Sequence, residues 1–131
     1  MAIIGGRVLE VKATRKKDAV FQGMGMNINF DEMSVRDKKL VVVYTAIVSY
    51  APEIAELSVK GELVTDEKNP EKIKEVWEKE KKIEPQELAE DLLTAITYAA
   101  SAVGTLLAYA IGINAPINVP RAKLGPPQKA G

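Results

Sequence analysis

Residues 85–113 read PQELAEDLLTAITYAASAVGTLLAYAIGI, and this stretch decides the fold. Proline is favoured in the first turn of a helix, and the carboxylates that follow it suit the positive N-terminal end of a helix. The stretch therefore predicts one long helix, with no charged residue between Leu92 and Ile113. A helix without a polar face must be covered all round. A sheet from the same chain can cover only one side of it.

A shorter helix is predicted immediately before the long one. Asn69 is a suitable N-cap, Pro70 suits the first helical position, and apolar residues recur on one face as far as about Lys82. Beyond the long helix, repeated prolines forbid further helix. We expect residues 1–124 to form one domain and residues 125–131 to be a disordered tail.

The first half of the chain predicts a sheet. Apolar and polar residues alternate over residues 3–14, 24–30 and 55–63, as in half-buried strands. Residues 40–50 are rich in Val, Ile, Tyr and Thr, which is typical of a strand buried on both faces. Short connections predict that the four strands form an antiparallel meander. The expected fold is therefore α+β: a four-stranded antiparallel sheet, then a short and a long helix.

The composition excludes several classes of function. The 131 residues include 18 basic and 18 acidic side chains, with no histidine and no cysteine. A neutral balance provides no field to attract a phosphate backbone, so nucleic acid is not an expected partner. Without His and Cys the chain lacks the most common general base, thiol nucleophiles and thiolate metal ligands. We expect no metal, no cofactor and no catalysis.

Two weaker signals concern source and location. Abundant Glu and Lys without Cys fit a protein from a hot environment. Gly5, Gly6 and Arg7 interrupt the apolar core that a signal peptide would need, so a cytoplasmic protein is predicted.

Small residues recur along the long helix at four-residue spacing, at Ala100, Gly104, Ala108 and Gly112. Such spacing occurs in transmembrane helix pairs, but the threonines and alanines here leave only moderate hydrophobicity for a membrane span. The soluble alternative requires a partner protomer, because a helix of about 43 Å exceeds the roughly 36 Å width of a compact globule of this size. We predict a homodimer or a dimer of dimers, closed partly through these four residues and weakened by Gly104→Leu or Ala108→Leu.

Four features follow one another in the second half of the chain, between Val42 and Pro120. They are the hairpin YAPEIAELSVKG at 50–61, a charged first helix around Trp77, the long Ala-rich helix, and the proline-rich ending INAPINVP at 113–120. In this order they resemble the SecB-type export chaperones and their relatives. The resemblance implies an antiparallel sheet backed by helices, assembled as a dimer or dimer of dimers, that holds unfolded polypeptide in apolar grooves without ATP.

The expected function is therefore holdase-like binding of unfolded polypeptide or of a protein partner. Flexible methionines and amphipathic aromatic residues suit a surface that accepts many sequences. The candidates are Phe21, Met24, Met26, Tyr44 and Tyr50. A structural or adaptor subunit, whose apolar surface is closed by self-association, explains the same residues without a client. A protein anchored in a membrane through residues 92–113 is the further alternative.

Overall fold

The structure is a computed structural model and describes residues 3–113. Its elements in chain order are β1 (Ile3–Arg15), β2 (Gly23–Arg36), β3 (Lys39–Ala51), β4 (Ala55–Thr65), α1 (Pro70–Glu80) and α2 (Gln86–Ala110). The predicted α+β fold, a four-stranded antiparallel sheet followed by a short and a long helix, is confirmed. The predicted tail at residues 125–131 lies outside the described residues.

The strands lie side by side in the order β1-β4-β3-β2, and every neighbouring pair is antiparallel. The meander therefore comprises β2, β3 and β4, whereas β1 pairs with β4 and not with β2. Burial accounts for this order: β3 and β4 carry the most buried side chains and occupy the centre. β1 is exposed along almost its whole length, which suits an edge. Residues 16–22 connect the two opposite edges.

Both helices pack on one face of the sheet. Alternate residues of β3, from Leu40 to Tyr50, are buried on this face, together with Ile73 and Trp77 of α1. Gly61 on β4 leaves room on this face for the side chain of Tyr44, its partner on β3, because a Cβ at position 61 would lie only 2.6 Å from the Tyr44 hydroxyl oxygen. The core of the protein is therefore a single layer between the sheet and the helices.

The start of α1 agrees with the prediction, whereas the end of α2 differs from it. α1 begins at Pro70, and Asn69 occupies the N-cap position in a left-handed conformation, with φ 56°, although its side chain makes no capping bond. α2 ends at Ala110, and its 25 residues span about 37 Å. This length is close to the roughly 36 Å expected for the domain itself. The helix therefore does not extend far beyond its own domain, and its length does not support the prediction of a partner protomer.

Arg15 joins the end of α2 to the β1–β2 connection. Its Nη1 donates hydrogen bonds to the carbonyl oxygens of Ile111 at 2.9 Å and Gly112 at 2.7 Å. Its Nη2 donates to Asp18 Oδ1 at 3.1 Å. The last carbonyls of a helix lack partners within the helix and favour a positive charge. The arginine thus holds the connection that carries Phe21 beside the C-terminal end of α2.

Candidate polypeptide-binding surface

The side of α2 that faces away from the sheet is apolar and exposed. Tyr98, Ala102, Leu106 and Tyr109 follow one another along this side at i, i+4, i+8 and i+11, and we call them the outer row. The exposed fractions are 59% for Tyr98, 72% for Leu106 and 87% for Tyr109. Isolated exposed apolar residues are common on soluble proteins, whereas a row without intervening charge is typical of an interaction surface.

The small residues of α2 lie on the opposite side, against the sheet of the same chain. Ala100, Gly104 and Ala108 are buried there, and Ala100 and Ala108 have 0% of their surface exposed. Small side chains let the helix backbone approach the strands closely. The expected contact of these residues with a second protomer is therefore corrected, because the protomer's own sheet already occupies that side.

Gly112, the fourth residue predicted for the protomer contact, lies beyond the end of α2. Its φ is 69°, a left-handed conformation that glycine adopts without strain, and it is the residue whose carbonyl receives the shorter Arg15 hydrogen bond. Gly112 thus contributes to the termination of the helix.

Two of the five predicted polypeptide-binding residues belong to the core. Tyr44 and Tyr50 are each 1% exposed, and burial raises the pKa of both phenols. Their even positions in β3 place both on the face that the helices cover. In the folded protomer neither tyrosine is accessible to a polypeptide.

The other three predicted residues, Phe21, Met24 and Met26, are half-buried and pack against one buried cluster at the C-terminal end of α2. Leu107 of α2 and Ile111, the residue directly after α2, are half-buried against the same cluster, and with them the group forms what we call the rim cluster: Phe21, Met24, Met26, Leu107 and Ile111. The rings of Phe21 and Tyr50 meet edge to face, with centroids 5.0 Å apart. The structure therefore brings these three residues together from the loop and the edge strand β2.

Half-burial determines what the rim cluster can do. One side of each side chain is held by the core, and the other side is open to solvent. Val20, directly before Phe21, is 87% exposed and extends the apolar surface. Methionine is flexible and polarizable, so such a surface can adapt to apolar side chains of different shapes.

The edge strand β1 is a second exposed element. Its apolar side chains Ile4, Val8, Leu9 and Val11 are 42–50% exposed. Within residues 3–113 no strand pairs with its outer edge. An exposed edge can accept an extended segment of another chain through backbone hydrogen bonds.

The sheet face away from the helices carries a charged network beside apolar residues such as Val41 and Ile47. Glu62, only 8% exposed, accepts hydrogen bonds from Arg7 at 2.7 Å and from Arg36 at 2.8 Å. The bonds from Arg7 and then Arg36 lower the pKa of the Glu62 carboxyl. This network joins β1, β4 and the end of β2. Among the described residues no group of three or more Asp or Glu side chains is placed to hold a metal ion.

The length and composition of α2 would also allow it to cross a membrane. Its most apolar 18-residue window has a mean hydropathy of 1.5, and 33% of that window is buried in the protomer. It is the one helix with this property in the part of the chain that the structure describes.

Sequence reasoning missed the outer row and Val20 as parts of an accessible surface. A usable signal was present in the size of the side chains on α2. Tyr98, Leu106 and Tyr109 recur on one side, while the small residues recur four apart on the other. For Val20 the flanking loop gives no periodicity, so its exposure could not be read from the sequence.

Comparison of the chain with protein-family models, with curated proteins and with solved structures finds no match. The resemblance to SecB-type chaperones accordingly stays a prediction.

Proposed function

We propose that this chain is a non-catalytic binding protein that self-associates through the outer row of α2 and holds unfolded polypeptide on the rim cluster without ATP. The observation that carries the proposal is the outer row, in which Leu106 and Tyr109 are 72% and 87% exposed within a helix side that lacks charge. Water contact with such a row is unfavourable, and association removes it.

The outer row suits contact with a second copy of the chain. Complete burial of one large apolar side chain contributes about 1.5–3 kcal/mol, and a two-fold contact buries each member of the row twice. No charged side chain lies between Leu92 and Ile113, so association would desolvate no charge within the row. A homodimer, or a dimer of dimers, is the assembly that this surface favours.

The rim cluster suits a client because it lies away from the outer row. Leu107 and Ile111 are displaced by about 100° or more around the helix axis from Leu106 and Tyr109. Covering the outer row therefore leaves the flank of α2 open beside Phe21, Met24 and Met26. A client would place apolar side chains against these residues, with affinity spread over several weak contacts.

A structural or adaptor subunit is the second candidate. The half-burial of Phe21, Met24 and Met26 favours it, because these residues already have packing partners within the protomer. Under this alternative the outer row still closes an oligomer, but the rim cluster has no client. The two candidates therefore differ only in what the assembled protein binds.

An aggregation assay separates the two candidates. Purified protein is added without nucleotide to a reduced, aggregating model substrate, and turbidity is followed at several-fold molar excess. We expect the wild type to suppress turbidity, and the double variant Met24→Gln, Met26→Gln to lose most of the suppression at unchanged oligomer size. Glutamine keeps the length of methionine while it makes the surface polar.

Ile47→Gln is the matched control. Ile47 is half-buried on β3, opposite Asn27 of β2, and its odd position places it on the sheet face away from the helices. This variant should suppress turbidity as well as the wild type does. No suppression by the wild type would leave the structural subunit as the better account. Wild-type protein that fractionates with membranes and needs detergent for release would instead support membrane anchorage through α2.

A further inference from the structure

A separate groove lies between α1 and the segment that connects it to α2. Its volume is about 710 Å³, and residues from positions 68 to 86 line it. Neither the outer row nor the rim cluster contributes to it. The volume falls in the range of small-molecule sites, about 300–1,000 Å³.

The rim of the groove is positively charged. Lys68, Lys72 and Lys82 line it against a single carboxylate, that of Glu84. Since the whole chain carries 18 basic and 18 acidic side chains, this excess is a local separation of charge. Asn69 lines the groove as well, and its side chain makes no capping bond to α1. Ammonium and amide N–H groups are suitable donors to a carboxylate.

The floor of the groove is apolar. Ile73, Val76 and Ile83 line it, and Ile73 is buried with 6% exposure. Ile73 belongs to the core cluster beneath both helices, and Ile83 packs against the same cluster. The floor is thus held by the core, while the lysines stand around it.

We infer that this groove binds a single-tailed anionic amphiphile, a carboxylate with an unbranched apolar tail. The tail would lie on Ile73, Val76 and Ile83, and the carboxylate would lie among Lys68, Lys72 and Lys82. A free small anion would leave the apolar floor in contact with water. A neutral lipid would make no charge-assisted hydrogen bond to the three lysines. The limited volume favours such a small molecule over a polypeptide segment.

Trp77 does not line the groove but provides a fluorescence probe beside it, since Ile73 of the groove belongs to the same core cluster. It is the only tryptophan of the chain, lies next to Val76 on α1, and carries Lys81 Nζ 4.3 Å above its ring. The full chain is titrated with dodecanoate below its micelle concentration, by Trp77 emission and by calorimetry. The comparators are dodecanol, dodecyltrimethylammonium and acetate. We expect saturable binding of one dodecanoate per chain, at least tenfold tighter than that of any comparator.

Charge reversal locates the head group. Lys72→Glu and Lys82→Glu should each weaken dodecanoate binding at least tenfold, because both side chains line the rim of the groove. Both side chains are exposed, so their replacement should leave the fold intact. Lys74→Glu makes the same change on the same helix outside the groove and should change the affinity less than twofold.

The other surfaces provide the outcomes that overturn the inference. Equal affinity for dodecanol, or equal effects of Lys72→Glu and Lys74→Glu, would show that the head group is not recognised in the groove. Loss of binding in the Leu106→Lys, Tyr109→Lys double variant would place the tail on the outer row instead. An acidic apolar peptide that binds where dodecanoate does not would also exclude the amphiphile. The Met24→Gln, Met26→Gln variant should bind dodecanoate normally, so this test stands apart from the client assay.

Discussion

The two sides of α2 belong to the same uncharged stretch, but one side is buried on the sheet and the other is exposed to solvent. On the inner side Ala100, Gly104 and Ala108 lie buried on the sheet. On the outer side Leu106 and Tyr109 are 72% and 87% exposed. Polarity does not separate the two sides, because both lack charge. Size separates them only in the C-terminal half of the helix, where Ala100, Gly104 and Ala108 are inside and Leu106 and Tyr109 are outside; in the N-terminal half the large side chains Leu88, Leu92 and Ile96 are buried inside.

This difference changes the meaning of the small-residue spacing. Four-residue spacing of small residues marks a side of a helix along which another backbone can approach, but it does not say which backbone. Here the approaching backbone is that of the protomer's own sheet. The surface that we propose for a second chain is the outer row, which carries the exposed side chains of Tyr98, Leu106 and Tyr109.

Overpacking of the inner side should produce the largest effect on the fold. Ala108→Leu and Gly104→Leu enlarge the side chain at buried positions, and each should lower the free energy of unfolding by about 1–3 kcal/mol or more. Urea denaturation at constant protein concentration measures this. Protomer stability should fall together with assembly, because these residues pack on the sheet of their own chain. If these variants lost assembly but kept wild-type stability, the small residues would have to lie in the contact between two protomers.

Charge on the outer side should break the assembly and spare the fold. The Leu106→Lys, Tyr109→Lys double variant should raise the dissociation constant of the oligomer at least tenfold, which corresponds to about 1.4 kcal/mol. Protomer stability should change by no more than about 0.5 kcal/mol, because both side chains are exposed. Sedimentation velocity across a dilution series measures the first quantity. If the wild-type protein is monomeric at micromolar concentration, the proposed self-association through the outer row is wrong.

Ser101 places a polar hydroxyl on the otherwise apolar inner side of α2. It is 1% exposed, and its Oγ has no hydrogen-bond partner among the described residues. A buried hydroxyl without a partner is unfavourable, and alanine has the higher helix propensity. Ser101→Ala should therefore raise the free energy of unfolding by about 1 kcal/mol in chemical denaturation. A loss of stability would mean that the hydroxyl is used, for example through water or a second chain.

The smallest effect concerns the sheet face opposite the helices and should appear only in acid. The hydrogen bonds from Arg7 and Arg36 lower the folded-state pKa of Glu62 below its usual value near 4.5. The ionised carboxylate therefore contributes stability that is present above the unfolded-state pKa and is lost as pH falls through the lower folded-state pKa. Glu62→Gln should flatten the acid limb of a stability–pH curve. An unchanged slope would show that the network does not influence folding.

The sequence predicted the regular elements because each has a local cause. Apolar alternation in β2 and β4, and proline at the start of α1, depend on neighbours within a few residues. The binding residues were predicted less well. Tyr44 and Tyr50 have the chemistry expected of a client surface, but their exposure depends on which face of the sheet the helices cover. That choice is made by contacts between residues far apart in the chain.

Local sequence patterns were enough to predict an α+β domain with a long uncharged helix, in a chain without histidine or cysteine. Only the tertiary structure decided that β1 pairs with β4, and that the small residues of α2 face inward. It also decided that three lysines surround an apolar groove beside α1. The physical reason is that periodicity reports how a side chain points relative to its own element. What lies opposite that side chain depends on packing between distant segments.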